Sequence, residues 1–93
     1  LTQEAFPQLV NAFFDAGDKG LTECTLLEVI VRDQDYVRAA KALAGSIRAT
    51  DYMGMLGDGK LYVLLSNTNE ENAAGVKERF RKAGYECRSG KGQ

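Results

Sequence analysis

The sequence predicts an α+β domain in which a ferredoxin-like antiparallel sheet of βαββαβ order follows an N-terminal helix. Apolar residues recur at helical spacing in three segments, near residues 2–16, 36–48 and 73–83. Two apolar runs, residues 25–31 and 61–65, predict strands that lie inside a sheet. A Gly-Asp-Gly sequence at 57–59 joins the second run to a shorter one before it, as in a β-hairpin.

The N-terminal helix is expected from Thr2 to Ala16, with Gly17 as its stop and residues 17–20 as a loop. Its apolar stripe follows the i, i+3, i+4, i+7 pattern of an amphipathic helix. The stripe consists of Phe6, Leu9, Val10, Phe13 and Phe14. We therefore expect one domain over residues 1–93, made of this helix and loop (1–20) and a core (24–89).

The core begins with a strand at 25–31 and a helix that runs to about Arg48, capped by Asp33 or Asp35. The inner face of this helix is predicted to be formed by Val37, Ala40, Ala44 and Ile47. In the hairpin that follows, Asp58 and Gly59 predict a type I′ turn, which needs positive φ angles at both positions.

A third helix is predicted after a cap at Asn67, Thr68 or Asn69, and Gly84 ends it. Its inner face is expected to be formed by Ala73, Val76, Phe80 and Ala83. A short last strand from Tyr85 to Arg88 precedes a Ser-Gly-Lys-Gly-Gln tail, which is typical of a frayed end or a linker.

Composition excludes several classes of function. The net charge of −1 argues against a general DNA or RNA binder. The chain contains no histidine, so the commonest metal ligand and general base is missing. Cys24 and Cys87 are expected as small half-buried thiols, with a disulfide between them as the alternative. No apolar run approaches the roughly 20 residues of a membrane span, and a chain opening on Leu1 suggests a fragment of a longer protein.

The segment from Ser46 to Arg81 resembles the GGDEF family, the diguanylate cyclases. In that family a helix ends in RxxD, and the GG(D/E)EF hairpin begins six residues after the Asp. Here Arg48-Ala-Thr-Asp51 is followed at that offset by Gly57-Asp58-Gly59-Lys60-Leu61. An apolar strand and the helical segment Lys77-Glu-Arg-Phe-Arg81 then match the family without a gap.

The same resemblance implies that the cyclase site is inactive and that no metal cofactor is bound. The paired acids that hold divalent metal in the family are replaced here by Gly59 and Lys60. Phosphoryl transfer depends on such metal ions to neutralise charge in the transition state. The nucleotide-contacting element after the first strand is shortened as well, and Asp33 or Asp35 is at most a relic of the family's metal ligand.

The RxxD pair, in contrast, is whole, and in the family it is the inhibitory site that binds cyclic di-GMP, generally as a stacked dimer. By resemblance, Arg48 contacts phosphate and the guanine O6/N7 edge, Asp51 accepts from guanine N1–H and N2–H, and Arg79 is a third ligand residue. The alternatives are structural. Arg48 can neutralise a helix C-terminus, Asp51 can bond its own loop, and Arg79 can belong to an exposed helix face.

The resemblance thus implies a non-catalytic cyclic di-GMP receptor. It is most similar to the PelD type, degenerate members that control export of an extracellular polysaccharide in bacterial biofilms. A cytoplasmic location, including the cytoplasmic part of an inner-membrane protein, and contact with other domains or a partner protein are expected with it. The alternative is a GGDEF-derived protein–protein interaction module that binds no nucleotide.

Overall fold

The computed structural model describes residues 5–89, and the predictions for positions 2–4 and 90–93 lie outside this range. In chain order the elements are α1 (Ala5–Asp18), β1 (Cys24–Ile30), α2 (Tyr36–Leu43), a 3₁₀ turn (Ala44–Ser46), β2 (Tyr52–Met55), β3 (Leu61–Ser66), α3 (Glu70–Lys82) and β4 (Glu86–Ser89). None of the helices within residues 5–89 has the length and apolar character of a membrane span.

The four strands form one antiparallel sheet in the order β2-β3-β1-β4. Strand β3 lies between β1 and β2, and β1 lies between β3 and β4, so the two strand–helix–strand units interleave. This is the split arrangement expected from the element order. The prediction of a small α+β domain with an antiparallel sheet is confirmed, whereas membership of the GGDEF fold stays a prediction.

The larger part of the core lies between the sheet and helices α2 and α3. Alternate residues of β1 and β3 point to this side, as the two-residue period of a strand requires. On this face, Phe80 of α3 and Leu43 of α2 are fully buried. The buried strand residues there are Leu27, Val29, Leu61, Val63 and Leu65.

Helix α1 packs on the opposite face of the sheet. Its residues Phe6 and Val10 are buried against Leu26 of β1 and Leu64 of β3. Gly54 of β2 makes room for this contact, because a Cβ at that position would lie 2.7 Å from Cβ of Phe6. Helices α2 and α3 therefore cover one face of the sheet, and α1 makes a third layer on the other.

Helix α2 is shorter than predicted and buries a different face. It ends at Leu43 and tightens into the 3₁₀ turn, which contains the poor helix former Gly45. The predicted inner residue Val37 is 67% exposed, and Ala39 and Leu43 are buried in its place. The buried i, i+3, i+7 stripe therefore runs through Tyr36, Ala39 and Leu43, one position before the predicted stripe.

The hairpin between β2 and β3 closes with a different turn from the predicted type I′. Only Gly59 has a positive φ, +76°, and its N–H donates to the Leu56 carbonyl at 3.0 Å. This geometry is typical of a turn followed by a left-handed glycine in a three-residue loop. Asp58 stays in an ordinary conformation because its carboxylate accepts from the N–H of Lys60 and the hydroxyl of Tyr62.

Two of the predicted caps are present, each at one of the proposed positions. Asp35 accepts from the N–H of Arg38 at 3.1 Å, and Asn69 accepts from the N–H of Asn72 at 2.8 Å. Both side chains satisfy a backbone donor that the first turn of a helix leaves free. Cys24 and Cys87 are free thiols on opposite faces of the sheet, so the alternative of a disulfide between them is wrong.

Candidate functional site

The predicted ligand residues Arg48 and Asp51 lie on the loop between the 3₁₀ turn and β2. The N–H of Asp51 donates to the Arg48 carbonyl at 3.0 Å, which folds the four residues 48–51 into a turn. Asp51 directly precedes β2, whose first residue, Tyr52, pairs with Leu64 of β3. This register places the turn beside the end of β3, at Ser66.

The Arg48 and Asp51 side chains form a bidentate ion pair. Nε of Arg48 donates to Oδ2 of Asp51 at 3.2 Å, and Nη2 donates to Oδ1 at 3.0 Å. The backbone N–H groups of Arg48 and Ser66 also donate to this carboxylate, at 2.9 and 3.3 Å. With only 2% of its side chain exposed, Asp51 is buried and fully hydrogen-bonded within the domain.

Arg48 extends the network to the β3–α3 connection. Its Nη2 donates to the carbonyl of Ser66 at 2.7 Å and to Oγ1 of Thr68 at 2.8 Å. The hydrogen bond to Asp51, with the negative charge of that carboxylate, raises the pKa of the Arg48 guanidinium above its usual value. The side chain is still 53% exposed, so one side of the guanidinium faces solvent.

Ser66 and Thr68 are site residues that the sequence reasoning missed. Oγ of Ser66 donates to the Thr50 carbonyl at 2.6 Å, and Oγ1 of Thr68 donates to the Ser66 carbonyl at 2.8 Å. Thr68 is one of the three caps that the sequence offers for α3, and Asn69 takes that role. The signal in the sequence was weak, because hydroxyl residues after a strand are common in any connection.

Arg79 reaches the same loop from α3. Its Nη2 donates to the carbonyl of Ser46 at 3.3 Å, two residues before Arg48, and the residue is exposed. Arg81, two positions further along the helix, instead forms an ion pair with Glu78 of the same helix. The structure therefore brings all three predicted residues to one segment, 46–51, although Asp51 is enclosed and the two arginines are accessible.

The segment Gly57 to Leu61, which the resemblance aligns with the GGDEF hairpin, lies at the other end of β2 from Asp51. Lys60 points to Glu28 of β1, with Nζ 3.6 Å from Oε2. Gly59 supplies no side chain and Asp58 is engaged by Tyr62 and Lys60. Within residues 5–89, no three acidic, cysteine or histidine side chains come together in a way that could hold a metal ion.

A second polar cluster on the sheet was not predicted. Glu28, with 11% of its side chain exposed, accepts from Nε and Nη2 of Arg88 on the neighbouring strand at 3.0 and 3.2 Å. Burial and the nearby Asp58 carboxylate raise the pKa of Tyr62, which pairs with Glu28 across the sheet. A glutamate inside an apolar strand run is the sequence signal that could have indicated such a cross-strand ion pair.

Chemically, the corner formed by Arg48 and Arg79 offers two guanidinium groups to an anion. Guanidinium groups donate charge-assisted hydrogen bonds to phosphate oxygens, and Arg48 has Nη1 left for this purpose beside its protein partners within residues 5–89. The buried Asp51 carboxylate fixes the orientation of the Arg48 guanidinium plane through its two hydrogen bonds. No protein-family model matches this chain, and no curated protein or solved structure matches it.

Proposed function

We propose that this domain is a degenerate, non-catalytic member of the GGDEF family that binds cyclic di-GMP at Arg48 and Arg79. The observation that supports this best is the convergence of the two exposed arginines on residues 46–51. The ligand carries two phosphates and two guanines, and both groups suit guanidinium forks. Binding at this corner would regulate an output such as exopolysaccharide export through other domains or a partner protein.

The geometry suggests separate roles for the two RxxD residues. Within residues 5–89, Arg48 donates to its protein partners through Nε and Nη2, and Nη1 remains for a ligand oxygen. Asp51 is a positioning residue in this proposal, because its carboxylate accepts hydrogen bonds from the Arg48 guanidinium and from the backbone N–H of Ser66. A direct contact between Asp51 and guanine would require the Arg48 ion pair to open first.

Catalysis is not part of the proposal, since Gly59 and Lys60 offer no carboxylate at the positions of the family's metal ligands. A lysine there would also repel a divalent cation. Incubation of the domain with GTP and Mg²⁺, followed by chromatography, is expected to give no dinucleotide. Formation of cyclic di-GMP would contradict this part of the proposal.

The alternative is an interaction module that binds no nucleotide, and the enclosure of Asp51 favours it. With 2% of its side chain exposed and four hydrogen bonds from the protein, Asp51 has a complete structural role without any ligand. In that case, Arg48 and Asp51 have a structural role, because their hydrogen bonds connect the loop before β2 to the end of β3.

Titration calorimetry with cyclic di-GMP separates the two functions. We expect saturable heat with the unaltered domain and an affinity lower by roughly 10- to 100-fold in Arg79→Ala, which removes charged hydrogen bonds to the ligand. Arg81→Ala is the matched control, because Arg81 lies on the same helix but pairs with Glu78, and its affinity should stay unchanged.

Arg48→Lys keeps the positive charge but loses the fork, and we expect it to weaken binding while the thermal unfolding transition remains cooperative. Cyclic di-AMP serves as the ligand control, since adenine lacks the O6 acceptor of guanine. Absence of heat with the unaltered domain at ligand concentrations up to about 1 mM, where binding would be worth only about 4 kcal/mol, would favour the interaction module.

A further inference from the structure

Strand β2 forms one edge of the sheet, and its sequence lacks the usual protection of an edge. The opposite edge strand, β4, contains the charged residues Glu86 and Arg88. In contrast, the six residues 52–57 contain no charged side chain and no proline. Such an edge presents backbone donors and acceptors to any extended chain. Proteins generally prevent this strand pairing with charged side chains or a β-bulge at the edge.

Concave apolar surfaces flank β2 on both faces of the sheet. On the α2 side, a cavity of about 260 Å³ is lined by residues that include Val37, Met53 and Met55. On the α1 side, a cavity of about 320 Å³ is lined by residues that include Pro7 and Leu56. A strand added to β2 would direct alternate side chains to the two faces, and therefore towards both cavities.

We propose that β2 is a dimerisation edge, to which the β2 strand of a second copy of this chain adds in antiparallel orientation. The two four-stranded sheets would then form one continuous sheet of eight strands around a two-fold axis. Residues opposite each other in such a pair lie on the same face, so the axis must pass through a residue and not between two residues.

An axis at Gly54 pairs the uncharged residues 52–56 and keeps the turn residues 57–59 outside the strand pair. Gly54 faces its copy, Met53 faces Met55, and Tyr52 faces Leu56. An axis at Met53 would instead set Met55 against Asp51, whose side chain is committed to Arg48. The Gly54 register thus keeps charged residues out of the strand pair and leaves the Arg48–Asp51 ion pair undisturbed.

A second copy fits this edge better than a charged peptide does. Each paired residue is uncharged, so the two-fold arrangement places no like charges opposite each other. The side chains of Met53 and Met55 supply flexible apolar groups for the α2-side cavity of the partner copy, while Tyr52 and Leu56 lie on the α1 side. A single strand pair buries less than a standard interface of about 1,600 Å², so we expect a weak dimer that forms at high micromolar concentration.

The oligomeric state in solution tests the proposal. Sedimentation equilibrium of the unaltered chain between about 10 µM and 1 mM should show a concentration-dependent rise towards twice the monomer mass. Val37→Lys places charge beside the edge at a position that is 67% exposed, so the variant should fold and remain monomeric. Leu21→Lys is the matched control, because Leu21 is 76% exposed in a loop away from β2, and it should dimerise normally.

A strictly monomeric unaltered chain over this range would overturn the proposal, and so would a dimer that Val37→Lys leaves intact. Cysteine cross-linking in a Cys24→Ala, Cys87→Ala background tests the register. A mixture of Met53→Cys and Met55→Cys chains should form a mixed disulfide, since opposite residues bring their Cα atoms within about 6 Å. Self-cross-linking of Met53→Cys alone would move the axis to residue 53 and overturn the Gly54 register.

Discussion

The two faces of the sheet are covered in different ways. On one face, α2 and α3 bury Ala39, Leu43, Ala73 and Phe80 over alternate residues of the strands. On the other, α1 contributes Phe6 and Val10 over a smaller apolar area. Along β1 the apolar position Leu26 on this second face is followed two residues later by Glu28, which pairs with Arg88 and Lys60.

This difference separates the two helices that connect strands of the sheet from the N-terminal helix, which connects none. Helices α2 and α3 connect strands that are not neighbours in the sheet, so their packing cannot be lost without loss of the strand order. Helix α1 precedes the first strand and connects none, and its contact depends on Phe6 beside Gly54. We therefore expect the sheet to keep its strand order when α1 detaches, with the Glu28 ion pairs still covering part of the second face.

The largest effect on the free energy of unfolding is expected from a comparison of Phe80→Ala with Phe6→Ala. Both phenylalanines are buried, at 0% and 1% exposure. We expect Phe80→Ala to lower the free energy of unfolding by about 3–5 kcal/mol, because the cavity would lie between two layers that cannot collapse. Phe6→Ala should cost about 2–3 kcal/mol, since α1 can shift or detach to relieve the cavity.

Hydrogen exchange distinguishes the two variants beyond the free energies. Phe6→Ala should accelerate exchange within α1 while the strand amides keep their protection, whereas Phe80→Ala should accelerate exchange throughout the domain. Equal loss of protection in β1 and β3 in both variants would show that α1 is as integral as α3.

A smaller effect is expected from Gly54→Ala, which adds one methyl group under Phe6. The added Cβ would lie 2.7 Å from Cβ and Cδ1 of Phe6, so the ring or the whole helix must move. We expect a loss of about 1–3 kcal/mol in the free energy of unfolding, measured by urea denaturation. Gly57→Ala is the control, because a Cβ there meets no atom within 4 Å.

The effect of Gly54→Ala should shrink when Phe6→Ala is already present, because the clash has then been removed. Additive losses in the double variant would place the strain elsewhere and contradict the proposed contact between α1 and β2.

The smallest perturbation uses the two native thiols as probes of the two faces. Burial raises the pKa of Cys87, on the α2/α3 face, to about 11, and it also raises the pKa of Cys24, on the α1 face. At pH 8 the thiolate fraction of Cys87 should therefore be roughly 100-fold below that of a free cysteine, whose pKa is about 8.5.

Iodoacetamide labelling of Cys24→Ala and Cys87→Ala, each with one remaining thiol, measures this difference. The rate at Cys87 should increase about tenfold per pH unit from pH 8 to pH 10 as thiolate forms. Because the folded pKa is raised, the contribution of Cys87 to stability is complete below about pH 8.5 and declines as pH rises towards 11. Equal labelling of Cys87 in folded and urea-unfolded protein at pH 8 would contradict its burial.

The two inner strands and the burial of Phe80 could be predicted from the sequence, because local periodicity determines both. The runs at 25–31 and 61–65 became β1 and β3, and Phe80 is buried as its helical spacing indicates. The layer occupied by α1 could not be predicted. An amphipathic stripe states which side of a helix is buried but not against which face of a sheet.

The sequence singles out Arg48, Asp51 and Arg79 as candidate ligand residues, which stay a prediction, and it does not give the geometry in which the structure holds them. The spacing of Arg48 and Asp51 singled them out, and their three-residue separation is also that of a local ion pair. Enclosure of Asp51 depends on Ser66, fifteen positions away, and on a strand register that only the folded sheet determines. The shift of α2 from Val37 to Ala39 has a similar origin, because one residue of phase changes the buried face.

The central position of β1 also has a consequence for how the chain folds. Its partners are β3 and β4, and the Glu28–Arg88 pair spans 60 positions of sequence. Contacts of this separation are costly to form early, because a long loop must close before any of them contributes. We therefore expect folding in milliseconds or slower, with the docking of β4 as a late step. A chain cut before residue 86 would leave β1 itself as an open edge, prone to aggregate.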